Sequence, residues 1–198
     1  MTAQLLLVRH AAHADLGHAL SGRGGGGLTD RGRRQAERLA TALADHFRLA
    51  AVYASPRRRA VATAECIAAP LGLATVIEPG LDEIDFGRWT GLAFAALEGN
   101  AEWDRWNRAR AEAAPPAGER MKDAVARIVA TLQGIASRHE GETVAAVSHA
   151  DMIRGAIAHY LGLSLDHILR FEISPASVSR LELGNGGARI LSINETAA

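Results

Sequence analysis

At 198 residues and 48% hydrophobic content, the chain is long enough to bury a substantial core and suits a single domain over residues 1–198. Its 22 Lys+Arg balance 22 Asp+Glu, so no net field attracts nucleic acid or an anionic membrane, and neither is an expected partner. The one cysteine, Cys66, excludes an internal disulfide and reads as a small core residue. No run approaches the roughly 18 apolar residues of a membrane helix, and Met1-Thr2-Ala3-Gln4 has no basic leader, which leads to the expectation of a cytoplasmic protein.

Residues 5–8, LLLV, are apolar without alternation, the pattern of a strand buried on both faces. A polar, glycine-rich loop follows. Its Gly24 to Gly27 run lacks the lysine and Ser/Thr of a phosphate-cradling loop and reads as a mobile loop. Thr29 is the expected N-cap of an amphipathic helix with Ala36, Leu39, Ala40, Leu43 and Phe47 on its apolar face. Residues 51–54 form a second strand. Ser55-Pro56 then predicts an N-cap followed by proline at the first helical position, and Ala60, Ala64, Ile67, Ala68 and Leu71 form that helix's core face.

Residues 75–77 make a third, short strand. The stretch 79–118 is irregular, with short helical patches and a stop at Pro115-Pro116. It is read as an insertion or lid, too short for a core of its own. Within it Trp89 is expected to pack, whereas Trp103 and Trp106 either pack or line a pocket. A long helix over 119–139 carries Met121, Ala124, Val125, Ile128, Leu132 and Ile135. A buried strand at 143–147 precedes a helix with Met152, Ile153, Ala156, Ile157, Tyr160 and Leu161. Strands at 178–183 and 190–193 close the chain around a Gly/Asn turn at 184–187. Strands alternating with helices predict an α/β fold.

Ligands bind at strand ends in such sheets, so the residues after Val8, Ala54, Ile77 and Val147 carry the interest. They are Arg9-His10, the run 55–60 with Arg57, Arg58 and Arg59, the run 81–87 with Glu83 and Asp85, and Ser148-His149-Ala150. Arginine forks match phosphate oxygens, and the set suits a phosphate ester site with a histidine nucleophile. His10 must be neutral to attack, and nearby guanidinium groups disfavour its imidazolium form. Glu83 protonates the leaving oxygen and later deprotonates the water, which requires a raised pKa. Asp85 reads as a loop-capping residue. His10, His13, Asp15 and His18 are an unsuitable metal cluster beside an arginine on a glycine-rich loop, so no metal is expected.

These segments resemble the histidine phosphatase superfamily, which includes cofactor-dependent phosphoglycerate mutases and small phosphatases. The resemblance runs over roughly residues 4–183. It rests on Leu7-Val8-Arg9-His10-Ala11, on 28–36 (LTDRGRRQA), on 55–64 (SPRRRAVATA), on 81–91 (LDEIDFGRWTG), on 116–120 (PAGER) and on Ser148-His149-Ala150. It implies a three-layer α/β/α sandwich with a mostly parallel central sheet, phosphoglycerate mutase-like. It also implies that His10 is the phosphorylated nucleophile, that Arg9, Arg59 and His149 hold the phosphoryl group, and that Glu83 is the proton donor. Ser21 and Gly22 lie where the family's loop touches substrate or phosphate, and no metal or organic cofactor is needed. One of Arg57 and Arg58 is a candidate for a substrate carboxylate or second phosphate, and His13 for a substrate contact. Ala11 and Ala150 replace family glycines, each adding a methyl close to the pocket.

The expected activity is metal-independent hydrolysis of a phosphomonoester through a phosphohistidine. The expected ligand is a small phosphorylated substrate or inorganic phosphate, and the protein is a monomer or homodimer. The alternatives are a mutase that returns the phosphate to an alcohol, a non-catalytic phosphate-ligand module, and a phosphoprotein phosphatase with a more open cleft.

Overall fold

The structure is a computed structural model and describes residues 1–197. Its centre is a sheet of β1 (Thr2–Arg9), β2 (Leu49–Ala54), β3 (Thr75–Ile77), β4 (Thr143–Ser148), β5 (Ser177–Gly184) and β6 (Gly187–Thr196), in the order β3-β2-β4-β1-β5-β6. β1, β4, β2 and β3 run parallel, whereas β5 is antiparallel to β1 and β6 to β5. The closing pair turns at residues 184–187, as the Gly/Asn signal predicts.

Helices α1 (Asp30–His46) and α2 (Arg58–Ala68) cover one face of the sheet; α5 (Met121–Arg138) and α6 (Ala150–Leu161) cover the other. The central strands divide their side chains accordingly. Leu5, Leu7, Val144 and Ala146 face the α5/α6 side, and Leu6, Val8, Ala145 and Val147 face the α1/α2 side. Both faces are dry, which is why these strands read as unbroken apolar runs. Among the described residues no helix is long and apolar enough to cross a membrane.

The stretch 79–118 holds single 3-10 turns and two short helices, α3 (Phe94–Leu97) and α4 (Ala101–Arg108). Its Leu81, Ile84, Phe86, Trp89, Leu97 and Trp106 join the core on the α5/α6 side. Trp106 is fully buried, and Trp89 meets Trp103 and Trp106 edge to face. The tryptophans therefore pack, and the segment is anchored rather than loosely appended. Cys66 is half-buried against the α1/α2 core, and burial raises its thiol pKa.

Thr29 caps α1 as expected, its hydroxyl accepting from the Gly32 N–H at 3.1 Å. The same hydroxyl and the Thr29 N–H both donate to the Ala12 carbonyl, which ties the start of α1 to the loop after β1. Gly32 makes this approach possible, because a Cβ there would collide with the Ala12 carbonyl oxygen. Gly32→Ala is therefore expected to destabilise the protein by about 1–3 kcal/mol, read as a lower urea midpoint with an unchanged slope.

The start of α2 differs from the sequence expectation. Ser55 is not its N-cap; the helix begins at Arg58 with Arg57 in the capping position and no side-chain cap. The Ser55 hydroxyl has partners across the sheet, and its bond to the Arg57 N–H is only a weak local one at 3.3 Å.

Candidate active site

The loops after β1, β2 and β4 converge at one end of the sheet, over a cavity of about 340 Å³. Its lining includes Arg9, His10, His13, Ser21, Gly22, Arg59, Glu83 and Ala150. The structure thus brings most of the sequence-predicted residues to one place. Arg57 does not line the cavity. Its guanidinium grips the Asp82 carboxylate at 2.8 and 2.7 Å and donates to the Arg23 carbonyl at 2.6 Å, which commits its donors to the protein. His149 lies directly behind, fully buried, with its ring 5.1 Å from that of His10.

Arg59 organises the two histidines. Its Nε donates to His10 Nε2 at 3.1 Å, and its Nη2 donates to His149 Nδ1, also at 3.1 Å. Two more of its N–H groups are held by the carbonyls of Gly22 and Gly24, each at 2.6 Å. The Gly24 end of the glycine run is thereby pinned, against the expectation of a wholly mobile loop. A guanidinium only donates, so both imidazole nitrogens facing it are lone pairs. His10 therefore carries its proton on Nδ1, which donates to the Ala11 carbonyl at 2.9 Å, and keeps Nε2 free.

The electrostatics agree. Burial, then Arg59 and Arg9, hold the His10 pKa well below the usual histidine value. Burial, then His10 and the arginines, do the same for His149. His13 meets His10 edge to face at 5.2 Å and is brought down to about 4, mainly by burial; its Nδ1 has no hydrogen-bond partner among the described residues. Glu83 moves the other way, pushed up to about 8 by burial and then by the Asp151 carboxylate. Its Oε2 lies 3.7 Å from His149 Nδ1, a contact between two neutral groups rather than an ion pair.

Arg9 donates to the Ile173 carbonyl at 2.6 Å, while its buried Nε has no partner among the described residues. The Ser21 hydroxyl donates to Asp15 at 3.2 Å. Of the two alanines in place of glycines, Ala150 lines the cavity, but Ala11 turns its methyl into the α1/α2 core and donates its N–H to Thr63.

Sequence reasoning passes over Asp151 and Arg154, which also line the cavity from the first two turns of α6. Asp151 is half-buried between Arg110 at 2.9 Å and Arg154 at 3.3 Å. Burial pushes its pKa up, but the two arginines outweigh this and hold it below the usual carboxylate range. The available signal was spacing, since Arg154 lies one helical turn beyond Ala150 and shares its face. Sequence reasoning also passes over the apolar wall of Leu16, Leu20, Phe86 and Phe94. The loop bearing Glu83 is clamped from outside. Arg127 on α5 donates to the carbonyls of Gly80 and Asp82 and to Glu119, and Arg23 donates to the Glu83 carbonyl and to Glu119. Asp85 caps its own loop through the Gly87 N–H, as expected.

A sheet-end cavity built on two neutral histidines and the arginines beside them is the layout of a phosphoryl-binding enzyme. The family model of the histidine phosphatase superfamily, branch 1, matches residues 5–196, and the chain belongs to that superfamily. A bifunctional protein of Mycobacterium tuberculosis is 35% identical over 196 residues, covering 98% of this chain and 54% of that protein. The chain thus spans about half the length of these mycobacterial relatives. Phosphoserine phosphatase 1 of Hydrogenobacter thermophilus is 30% identical over 171 residues, 85% of this chain and 81% of that enzyme. Among solved structures, YhfR of Bacillus stearothermophilus superposes with a TM-score of 0.90 at 29% identity, covering 96% of each chain.

Proposed function

We propose that this protein is a metal-independent phosphomonoester hydrolase that acts through a phosphohistidine at His10 on a small phosphorylated metabolite. The observation that carries the reading is the shared grip of Arg59 on His10 Nε2 and His149 Nδ1. A phosphoryl group entering there takes over the guanidinium donors and exposes the His10 lone pair to phosphorus. Arg9, Arg59 and His149 surround the phosphoryl oxygens, and the two guanidinium groups neutralise the charge that otherwise repels attack.

His10 Nε2 forms a bond to phosphorus as the P–O(alkyl) bond breaks. The departing oxygen takes its electron pair and the proton of Glu83. The Nδ1–H bond to the Ala11 carbonyl steadies the phosphoimidazolium. Water then attacks phosphorus, Glu83 takes a proton from it, and the P–N pair returns to Nε2. Ser21, Gly22, His13 and Ala150 border the alcohol portion. Arg57 serves the fold by anchoring Asp82. A cavity of about 340 Å³ supports a small substrate over a folded phosphoprotein.

The test is phosphate release from a panel of small phosphomonoesters in EDTA, coupled with acid-quench trapping of labelled protein. EDTA-resistant release with an acid-labile, base-stable phosphoprotein is expected. Transfer to an added alcohol in preference to water marks a mutase instead. Tight phosphate binding without turnover marks a binding module.

A further inference from the structure

Asp82 is outside the cavity lining and is buried, yet several donors converge on it. Its Oδ1 accepts from the Ser55 hydroxyl at 3.2 Å, from Arg57 Nε at 2.8 Å and from the Glu83 peptide N–H at 2.8 Å, and its Oδ2 accepts from Arg57 Nη2 at 2.7 Å. The Ser55 oxygen in turn stands 2.8 Å from His149 Nε2. The proton order along this chain follows from valence. Arg59 can only donate, so His149 Nδ1 accepts and Nε2 carries the proton. That proton goes to Ser55, whose own hydrogen is then directed to Asp82.

We infer that Asp82 is a positioning residue which, through Ser55, holds His149 ready to accept a proton at Nδ1 when a phosphate dianion binds. The inference rests on the proposed function for where the phosphoryl group sits. A dianion that draws Arg59 away leaves oxygen lone pairs facing the Nδ1 lone pair. Uptake of one proton from solvent turns this repulsion into a charge-assisted hydrogen bond. The imidazolium charge is then met at Nε2 by a buried hydroxyl oriented by a carboxylate, in a medium where such chains are strong.

The charged and titratable groups facing His149 set the balance. Arg9 and His10 approach from the end of β1, and Arg57 and Arg59 from the start of α2; all oppose the added proton. Glu83 faces it from the 79–118 segment and is neutral below about 8. Asp82, reached through Ser55, is the carboxylate that favours it. Because the same carboxylate accepts the Glu83 N–H, it also ties the acid's backbone to the histidine's orientation.

The experiment is a calorimetric titration of inorganic phosphate into wild type, Ser55→Ala and Asp82→Asn between pH 5.5 and 8.5. Nitrogen-15 spectra of the bound imidazoles are recorded alongside. Wild type is expected to bind phosphate with both nitrogens of His149 protonated at neutral pH. Ser55→Ala is expected to bind roughly 10- to 100-fold more weakly there, with the gap closing toward pH 5.5 as protons become abundant. Asp82→Asn keeps an acceptor but loses the charge, so it shifts the pH profile the same way with a smaller loss. Ser55→Thr restores the wild-type profile.

Unchanged affinity and pH profile in folded Ser55→Ala and Asp82→Asn overturn the inference. So does an equal weakening at every pH, which marks a merely structural role, or wild type that binds no phosphate. If one variant fails to fold, the other decides. Wild type that binds phosphate but hydrolyses no ester defeats the hydrolase reading and leaves this result standing.

Discussion

His10→Ala is expected to lower phosphate release by about 10⁴-fold or more and to abolish the acid-labile phosphoprotein. The reason is specific to the nucleophile. Arg9, Arg59 and His149 still gather the phosphoryl oxygens in the variant, so phosphate binding persists, but no lone pair stands opposite the leaving group. The fold should survive. The side chain's hydrogen bonds are to Ala11, its chain neighbour, and to Arg59, which keeps the Gly22 and Gly24 carbonyls and His149. Chemical unfolding should therefore place the variant within about 2 kcal/mol of wild type. Turnover above one per cent of wild type, with no phosphoprotein, would exclude the covalent route.

Glu83→Gln is expected to separate activity from stability. Glu83 holds its proton up to about 8, so loss of this acid should add a limb in which wild-type kcat/KM falls as pH rises past about 8. His10 is neutral across this range and adds no limb of its own near neutrality. The glutamine variant cannot donate a proton and should lose about 10²–10⁴-fold in rate, with the alkaline limb removed from what remains. Esters of acidic alcohols such as nitrophenol, which leave without protonation, should lose least in the first step.

The stability effect has the opposite sign. The folded pKa of Glu83 lies above its unfolded value, so between pH 4.5 and about 8 the native state retains a proton that the unfolded chain releases. Stability contributed by this group is present below pH 4.5 and lost as pH rises toward 8. Glu83→Gln has no proton to lose and should be more stable than wild type at pH 8, by about 1–3 kcal/mol. The two proteins should converge near pH 4.5. Equal stability at both pH values would show that Glu83 is ionised in the folded protein.

Much of this molecule is decided by local chemistry that a sequence displays. β1 and β4 are legible because the stretch of a strand buried on both faces is an unbroken apolar run. Thr29 is legible as a cap because its hydroxyl serves an N–H three residues on. The closing hairpin is legible because its turn needs glycine. His10, Arg59, Glu83 and His149 were legible as candidates because each follows a strand and motifs surround them.

Tertiary structure alone decided what distant partners claim. Ser55 has the local features of an N-cap, but His149, 94 residues away, draws its hydroxyl elsewhere. Arg57 has the features of an anion ligand, but Asp82, 25 residues on, takes its guanidinium in a paired grip. Trp103 and Trp106 have no local rule that separates packing from a pocket wall; the rings they meet make the difference. The proton on His10 and the proton on His149 likewise depend on one arginine that reaches both. The sequence by itself determined which residues could bond, through their donors, acceptors and apolar faces. Only the folded chain decided which bonds they make, because each polar group has few hydrogen bonds to give and burial assigns them to whichever partner is brought within about 3 Å.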